Sequence, residues 1–194
     1  MVPKSVYLLN LLLVDQVKHI PGLIVECGVW KGGLIAGIAK ILGNSRKYIL
    51  FDSFEGLPPA QDIDGETAKK WQADTESPTY FDNCTAAEAD AQTAMAMSGV
   101  DNYSIVKGWF DNTLDAYTWD SPIAVLRLDG DWYDSTLTCL NSLFPRVAKG
   151  GIIIIDDYYT WDGCSKAVHD YLSQEQRTER IAQFYNRVCY LVHQ

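Results

Sequence analysis

The sequence predicts an α/β fold: an open, mostly parallel seven-stranded sheet with helices on both faces, ending in a C-terminal antiparallel hairpin. Three observations carry this. Short apolar runs bounded by Gly, Pro, Asn or Asp recur at residues 23–25, 48–51, 103–106, 123–128 and 152–155, and such runs suit parallel strands buried on both faces. Segments of helical character lie between them, at 34–42, 85–97, 135–147 and 166–174, which gives the alternating βα order of a doubly wound sheet. Residues 181–185 and 188–193 then read as two strands about the turn-like pair Asn186 and Arg187, the pattern of a tight hairpin on the sheet edge.

The rest of the chain is read against that sheet. With 194 residues, 47% of them apolar and 12% aromatic, the chain suits one compact domain over residues 1–194. Residues 1–20 are expected to form a helix packed on it. The apolar run at 6–14 is short, interrupted by Asn10, and followed by Asp15 and Lys18 without a small-residue cleavage site, so it reads neither as a membrane span nor as a secretion signal. If exposed, that helix offers a surface for a homo-oligomer. Residues 57–82 carry Pro58, Pro59, Gly65 and Pro78 and lack periodicity; they read as a partly helical excursion over the site, a lid or substrate loop.

Composition narrows the function. A formal net charge of −9 with no Lys/Arg cluster excludes a general nucleic-acid binder. No membrane partner is indicated, and a small molecule fits better. Cys27, Cys84, Cys139, Cys164 and Cys189 are scattered, odd in number and never in a CxxC pair, so neither a disulfide framework nor a zinc site is suggested, and a reducing cytoplasm is the expected location.

Three motifs carry chemistry, each at the carboxyl end of a strand, where open α/β sheets bind ligands. The first runs from Ile24 through Glu26, Gly28, Trp30 and Gly32 to Gly33. Its glycines let the backbone approach a ligand, and Glu26 can hold an ammonium group or order the loop. The spacing, ExGxxxG, departs from the GxGxxG of a pyrophosphate-binding turn. The second motif ends the next strand, where Asp52, followed by Ser53, stands about 20 residues past the glycine turn, placed to accept hydrogen bonds from ribose hydroxyls. The third is a pair of acidic clusters at two later strand ends, Asp129-Gly130-Asp131 and Asp156-Asp157. Four carboxylates on one sheet edge repel unless a cation sits among them. Oxygen ligands of this kind suit a hard ion such as Mg²⁺, with Asp129, Asp156 and Asp157 as the ligands.

These segments resemble the macrocin O-methyltransferase (TylF-type) family of metal-dependent sugar O-methyltransferases. The resemblance rests on Pro21-Gly22 through Gly33, on Phe51-Asp52-Ser53-Phe54-Glu55-Gly56-Leu57-Pro58, on Leu126-Arg127-Leu128-Asp129-Gly130-Asp131-Trp132-Tyr133-Asp134-Ser135-Thr136, and on Gly150-Gly151 through Tyr158 with Trp161, Gly163 and Cys164. It implies a Rossmann-like class I methyltransferase fold. It also implies transfer of a methyl group from S-adenosylmethionine to a hydroxyl of a sugar or other small polar metabolite, with Mg²⁺ held by Asp129, Asp156 and Asp157. More distantly the glycine turn and metal acids are similar to catechol O-methyltransferase, whose lysine base has no counterpart at Asp131-Trp132-Tyr133. TylF-type proteins generally carry a longer N-terminal region over the substrate, whereas about one helix precedes the first strand here, which points to a minimal member with a different acceptor.

Methyl transfer needs the nucleophile, methyl group and sulfur aligned, water excluded and the hydroxyl proton removed. Asp131, two residues beyond Asp129 and so on the same side of an extended strand end, is the candidate base, with a structural carboxylate as its competing role. His169 is a weaker candidate on the last long helix, and His19 and His193 are more remote. Trp30, in the cofactor turn, is expected to wall the adenine or face the sulfonium, while Trp132, Tyr133, Tyr158, Tyr159 and Trp161 read mainly as core. Gly108 and Trp109 lie after the third strand, where many methyltransferases contact the adenine. Two rival readings stand beside this one. An NAD(P)-linked oxidoreductase is favoured by Asp52 but opposed by the glycine spacing and the acidic cluster, and a non-catalytic binding module is opposed by the intact acids.

Overall fold

The computed structural model describes residues 2–194; Met1, the first residue of the expected N-terminal helical segment, lies outside them. The sheet has seven strands: β1 (Leu23–Cys27), β2 (Tyr48–Asp52), β3 (Tyr103–Lys107), β4 (Ile123–Leu128), β5 (Val147–Ile155), β6 (Ala182–Phe184) and β7 (Val188–Val192). Their spatial order is β3-β2-β1-β4-β5-β7-β6. The first five run parallel, and β7 pairs antiparallel with both β5 and β6. The order reverses between β1 and β4, which opens a crevice at the carboxyl ends of the central strands.

Every residue of β1 and β4 is buried, as expected of parallel strands covered on both faces. The isoleucines at 152–155 are buried to within 1%, each contributing roughly 2 kcal/mol of apolar burial. One face of the sheet is covered by α1 (Lys4–Gln16), α2 (Gly33–Leu42) and α4 (Glu88–Ser98); the other is covered by α5 (Phe110–Thr113), α6 (Tyr133–Leu143) and α7 (Asp162–Gln174). The helix expected at the N-terminus is α1, which buries Asn10, Leu13 and Val14 and leaves Leu8 and Leu12 exposed. Among the described residues no helix is long and apolar enough to cross a membrane.

Beyond shifts at the starts of α4, α7 and β5, two boundaries differ from the sequence reading for a local physical reason. The helix expected to reach Val147 stops at Leu143; Phe144–Arg146 forms one 3-10 turn containing Pro145, and Val147 already pairs with Ile123 as the start of β5. Proline has no N–H to continue the helical ladder, which accounts for the early stop. The hairpin turn centres on Tyr185 and Asn186, both left-handed (φ 48° and 54°), one residue earlier than expected, and the Arg187 N–H returns to the Phe184 carbonyl.

The excursion after β2 is ordered by specific anchors. It contains a 3-10 turn at Asp62–Asp64 and α3 (Gly65–Ala73), and it ends in Phe81–Cys84, where four successive residues have positive φ. Buried Asp64 accepts the backbone N–H groups of Gln61 (2.8 Å) and Tyr133 (2.7 Å). The Trp132 indole N–H donates to the Pro58 carbonyl at 2.8 Å. These bonds fasten the excursion to the start of α6, beside the acidic strand ends.

Candidate active site

The carboxyl ends of β1, β2, β4 and β5 open into a cavity of about 1140 Å³. On one side lies the glycine turn. Gly28 has φ +87°, and a Cβ there would fall 1.8 Å from the Asp129 carbonyl oxygen, so only glycine lets the β1 and β4 ends approach this closely. Asp52 closes over the turn from β2: its Oδ2 accepts the N–H groups of Val29 and Trp30, both at 2.7 Å, and its Oδ1 accepts that of Phe54 at 2.6 Å. The carboxylate therefore orders the turn itself and faces the cavity beside it. Burial raises its pKa and the three N–H groups oppose the rise.

Ser53 is buried, and its Oγ accepts the Glu55 N–H at 3.1 Å. The Gly108 N–H meets the Asp52 carbonyl at 2.9 Å, which sets half-exposed Trp109 on the rim. Glu26, Gly28, Trp30, Asp52, Ser53, Gly108 and Trp109 all line the cavity, whereas Gly32 is set back from it, packing toward Ala91 at the start of α2.

The acidic side is organised by a residue to which the sequence reading gave no role. Arg127, 2% exposed on β4, places Nη1 2.6 Å from Glu26 Oε1 and 2.8 Å from Asp129 Oδ2, and Nη2 2.7 Å from Asp156 Oδ1. A legible signal existed: Glu26 and Arg127 occupy paired positions on adjacent strands, and opposite charges within two apolar strands imply a buried ion pair. Glu26 thus answers an internal guanidinium. Its Oε2 has no hydrogen-bond partner among the described residues, and burial, partly offset by Arg127, lifts its pKa to about 7.

One oxygen each from Asp129, Asp156 and Asp157 lies within 4.8 Å of the others. Asp131 stands beside them, but not on an extended strand as expected. The ladder ends at the Asp129 N–H, Trp132 bonds back to the Gly130 carbonyl at 2.7 Å, and Asp131 is left-handed at φ 58°. The turn still aims its carboxylate at the acids, where Oδ1 accepts the Trp161 indole N–H at 2.8 Å. Burial, then repulsion from Asp129, pushes Asp131 to about 8. Burial and then Asp131, Asp129 and Asp156 likewise push Asp157 upward. Burial, and then neighbouring carboxylates, push Glu26, Asp131, Asp156 and Asp157 toward the protonated form, and the all-oxygen donor set of Asp129, Asp156 and Asp157 fits a hard divalent cation. The histidines fall elsewhere: His169 Nε2 lies 2.9 Å from the Tyr158 hydroxyl, His193 packs edge-on against Phe144, and none of the three lines the cavity.

This strand order, with a glycine turn after the first strand and acids after the fourth and fifth, defines a class I methyltransferase fold. The chain belongs to the macrocin O-methyltransferase (TylF) family, whose model matches residues 10–191. It is 35% identical over 173 residues to the 8-demethyl-8-(2,3-dimethoxy-alpha-L-rhamnosyl)-tetracenomycin-C 4'-O-methyltransferase of Streptomyces olivaceus, with 85% of this chain and 62% of that protein covered. It is 34% identical over 162 residues to the demethyldecarbamoylnovobiocin O-methyltransferase of Streptomyces niveus, covering 79% of this chain and 59% of the other. The chain thus spans about three fifths of the length of these relatives. Among solved structures, that of the O-methyltransferase NovP superposes with a TM-score of 0.79 at 27% identity, over 95% of this chain and 79% of that one.

Proposed function

We propose that the chain catalyses transfer of a methyl group from S-adenosylmethionine to a hydroxyl of a sugar or other small polar metabolite, assisted by Mg²⁺. The observation that carries this reading is the convergence of Asp129, Asp156 and Asp157 within 4.8 Å on a cavity that also receives the glycine turn. The names of the relatives, all O-methyltransferases and two of them acting on tetracenomycin- and novobiocin-type molecules, support it.

In this reading the turn from Gly28 to Gly32 and the Asp52 carboxylate form the donor side, with Ser53, Gly108 and Trp109 near the adenine and Trp30 as a wall. Asp129, Asp156 and Asp157 would hold the cation, whose chemistry when bound is to fix the acceptor hydroxyl and lower its pKa. Asp131 takes the hydroxyl proton on its Oδ2, since Oδ1 is engaged by Trp161. Asp129, besides holding the cation, serves as a second catalytic carboxylate and as a contact to the methyl donor. The excursion over residues 57–82 serves as lid and acceptor wall, excluding water from the transfer.

The first test needs no acceptor: titration calorimetry with S-adenosylhomocysteine, and with NAD⁺ as control, each with and without Mg²⁺. Micromolar binding of S-adenosylhomocysteine, about −8 kcal/mol, is expected, followed by an acceptor screen with metal present. Binding of NAD⁺ in its place would refute the reading.

A further inference from the structure

Among the described residues no cationic side chain pairs with Asp131, since the contacts of Arg127 go to Glu26, Asp129 and Asp156. Among the described residues, one side chain hydrogen-bonds its carboxylate: Trp161, through Nε1 at 2.8 Å. An indole N–H suits this task. It donates without carrying charge and neither gives up nor takes a proton at ordinary pH, so it can hold a carboxylate in either protonation state. It also engages only Oδ1.

Trp161 is itself gripped. It precedes α7, its backbone N–H bonds the Asp157 carbonyl at 3.0 Å, and its ring is 9% exposed. Trp132 and Trp71 meet it edge-on at centroid distances of 5.3 and 5.7 Å, and they meet each other at 6.2 Å. Trp71 comes from α3 of the excursion, and its indole N–H donates to the Thr79 carbonyl, as that of Trp132 does to Pro58. Two of the three indole N–H groups therefore bind the excursion, and the third binds Asp131.

We infer that Trp161 is a positioning residue that aims the Asp131 carboxylate, and that Trp71 clamps it, so that seating of the excursion and aim of the base are one event. The inference rests on the reading of Asp131 as the base. A change in the seating of α3 reaches Asp131 through the Trp71–Trp161 ring contact and one hydrogen bond, with Trp132 bracing both rings.

The test begins with the indole N–H spectrum of ¹⁵N-labelled protein saturated with S-adenosylhomocysteine and Mg²⁺. The Trp161 resonance is assigned by its loss in Trp161→Phe, which keeps an aromatic ring and so the packing. Asp131→Ala and Trp71→Ala are each expected to move that resonance upfield and speed its exchange with solvent. Indifference to Asp131→Ala overturns the positioning contact, and indifference to Trp71→Ala overturns the clamp, whatever the role of Asp131. With an acceptor from the screen, Trp161→Phe is expected to lower kcat roughly ten- to a hundredfold with KM for S-adenosylmethionine within about twofold. Trp161→His, which keeps a ring N–H, should recover part of the loss. An unchanged kcat, or a parallel loss of kcat and donor affinity, would overturn the inference. Inactive Asp131→Asn beside fully active Trp161→Phe sinks this inference alone, whereas fully active Asp131→Asn sinks the base reading with it.

Discussion

Replacing Arg127 with Leu should destabilise the chain by an amount that depends on pH and recovers on a second substitution. Arg127 pairs with Glu26, Asp129 and Asp156, whose side chains are 1%, 27% and 19% exposed. Asp129 and Asp156 keep contact with water, so most of the loss falls on Glu26, whose second oxygen already lacks a hydrogen-bond partner among the described residues. Where Glu26 is ionised, breaking a buried pair by removing one member costs about 3–5 kcal/mol. For a chain of this size that lowers Tm by about 6–20 °C, at roughly 2–4 °C per kcal/mol.

The sign with pH follows from Glu26. Its folded pKa stands near 7 with Arg127 present, and removing the guanidinium pushes it higher. Below about 7 the folded chain keeps this proton with or without Arg127, so the penalty is smallest there; it grows as pH rises through and above 7, where the parent chain releases a proton that the variant retains. Scanning calorimetry at about pH 5 and pH 7.5 reads this out. Adding Glu26→Leu should restore most of the stability, because an apolar pair of similar volume replaces an ion pair at little cost. A Tm change equal at both pH values, or a double variant no better than the single one, would refute the argument.

Other outcomes follow from the same geometry. Asp156→Asn should weaken binding of Mg²⁺, or of Mn²⁺ as its probe, by about tenfold or more while leaving S-adenosylhomocysteine affinity nearly intact; calorimetry that finds unchanged metal affinity refutes the ligand assignment. Without divalent cation, stability should fall as pH rises from about 4 to 8, since burial holds Glu26 near 7 and Asp131 near 8 and the folded chain keeps protons the unfolded chain has lost. Mg²⁺ should reverse most of that fall, and a flat Tm over this range would count against the buried-acid picture. Gly28→Ala should lower stability by about 3 kcal/mol or more, because its Cβ would meet the Asp129 backbone and φ is positive; an urea melt matching the parent would contradict it.

The fold was legible because its strands are simple. Five apolar runs and the βα alternation predict the parallel core, and the residues around Asn186 and Arg187 predict the hairpin. Acidic residues at strand ends were legible for a geometric reason: parallel strands deliver their carboxyl ends to one edge, so Asp129, Asp156 and Asp157 had to be neighbours once the sheet was assigned. Interactions between distant segments were not. Arg127 reads as a stray charge until β1 and β4 are aligned. The left-handed turn that carries Asp131 has no glycine at that position to announce it, and the Trp71–Trp161 contact joins α3 of the excursion to the start of α7. Asp52 stands at the strand tip and lines the cavity, as its place in the sequence led one to expect, yet its hold on the Val29 and Trp30 amides depends on loop geometry that spacing alone does not contain.

The two sides of the cavity owe their rigidity to different kinds of bond. Asp52 fastens the glycine turn through the main-chain amides of Val29 and Trp30, which every residue type but proline supplies, while Gly28 and Gly32 are fixed by their positive φ and close contacts. The opposite rim adds tryptophan against tryptophan to the hydrogen bonds of Asp64 and Trp132, an arrangement that a single substitution can loosen. The two rims can therefore change separately: a substitution among the tryptophans leaves the Asp52 contacts in place, and one at Val29 leaves the rings in contact.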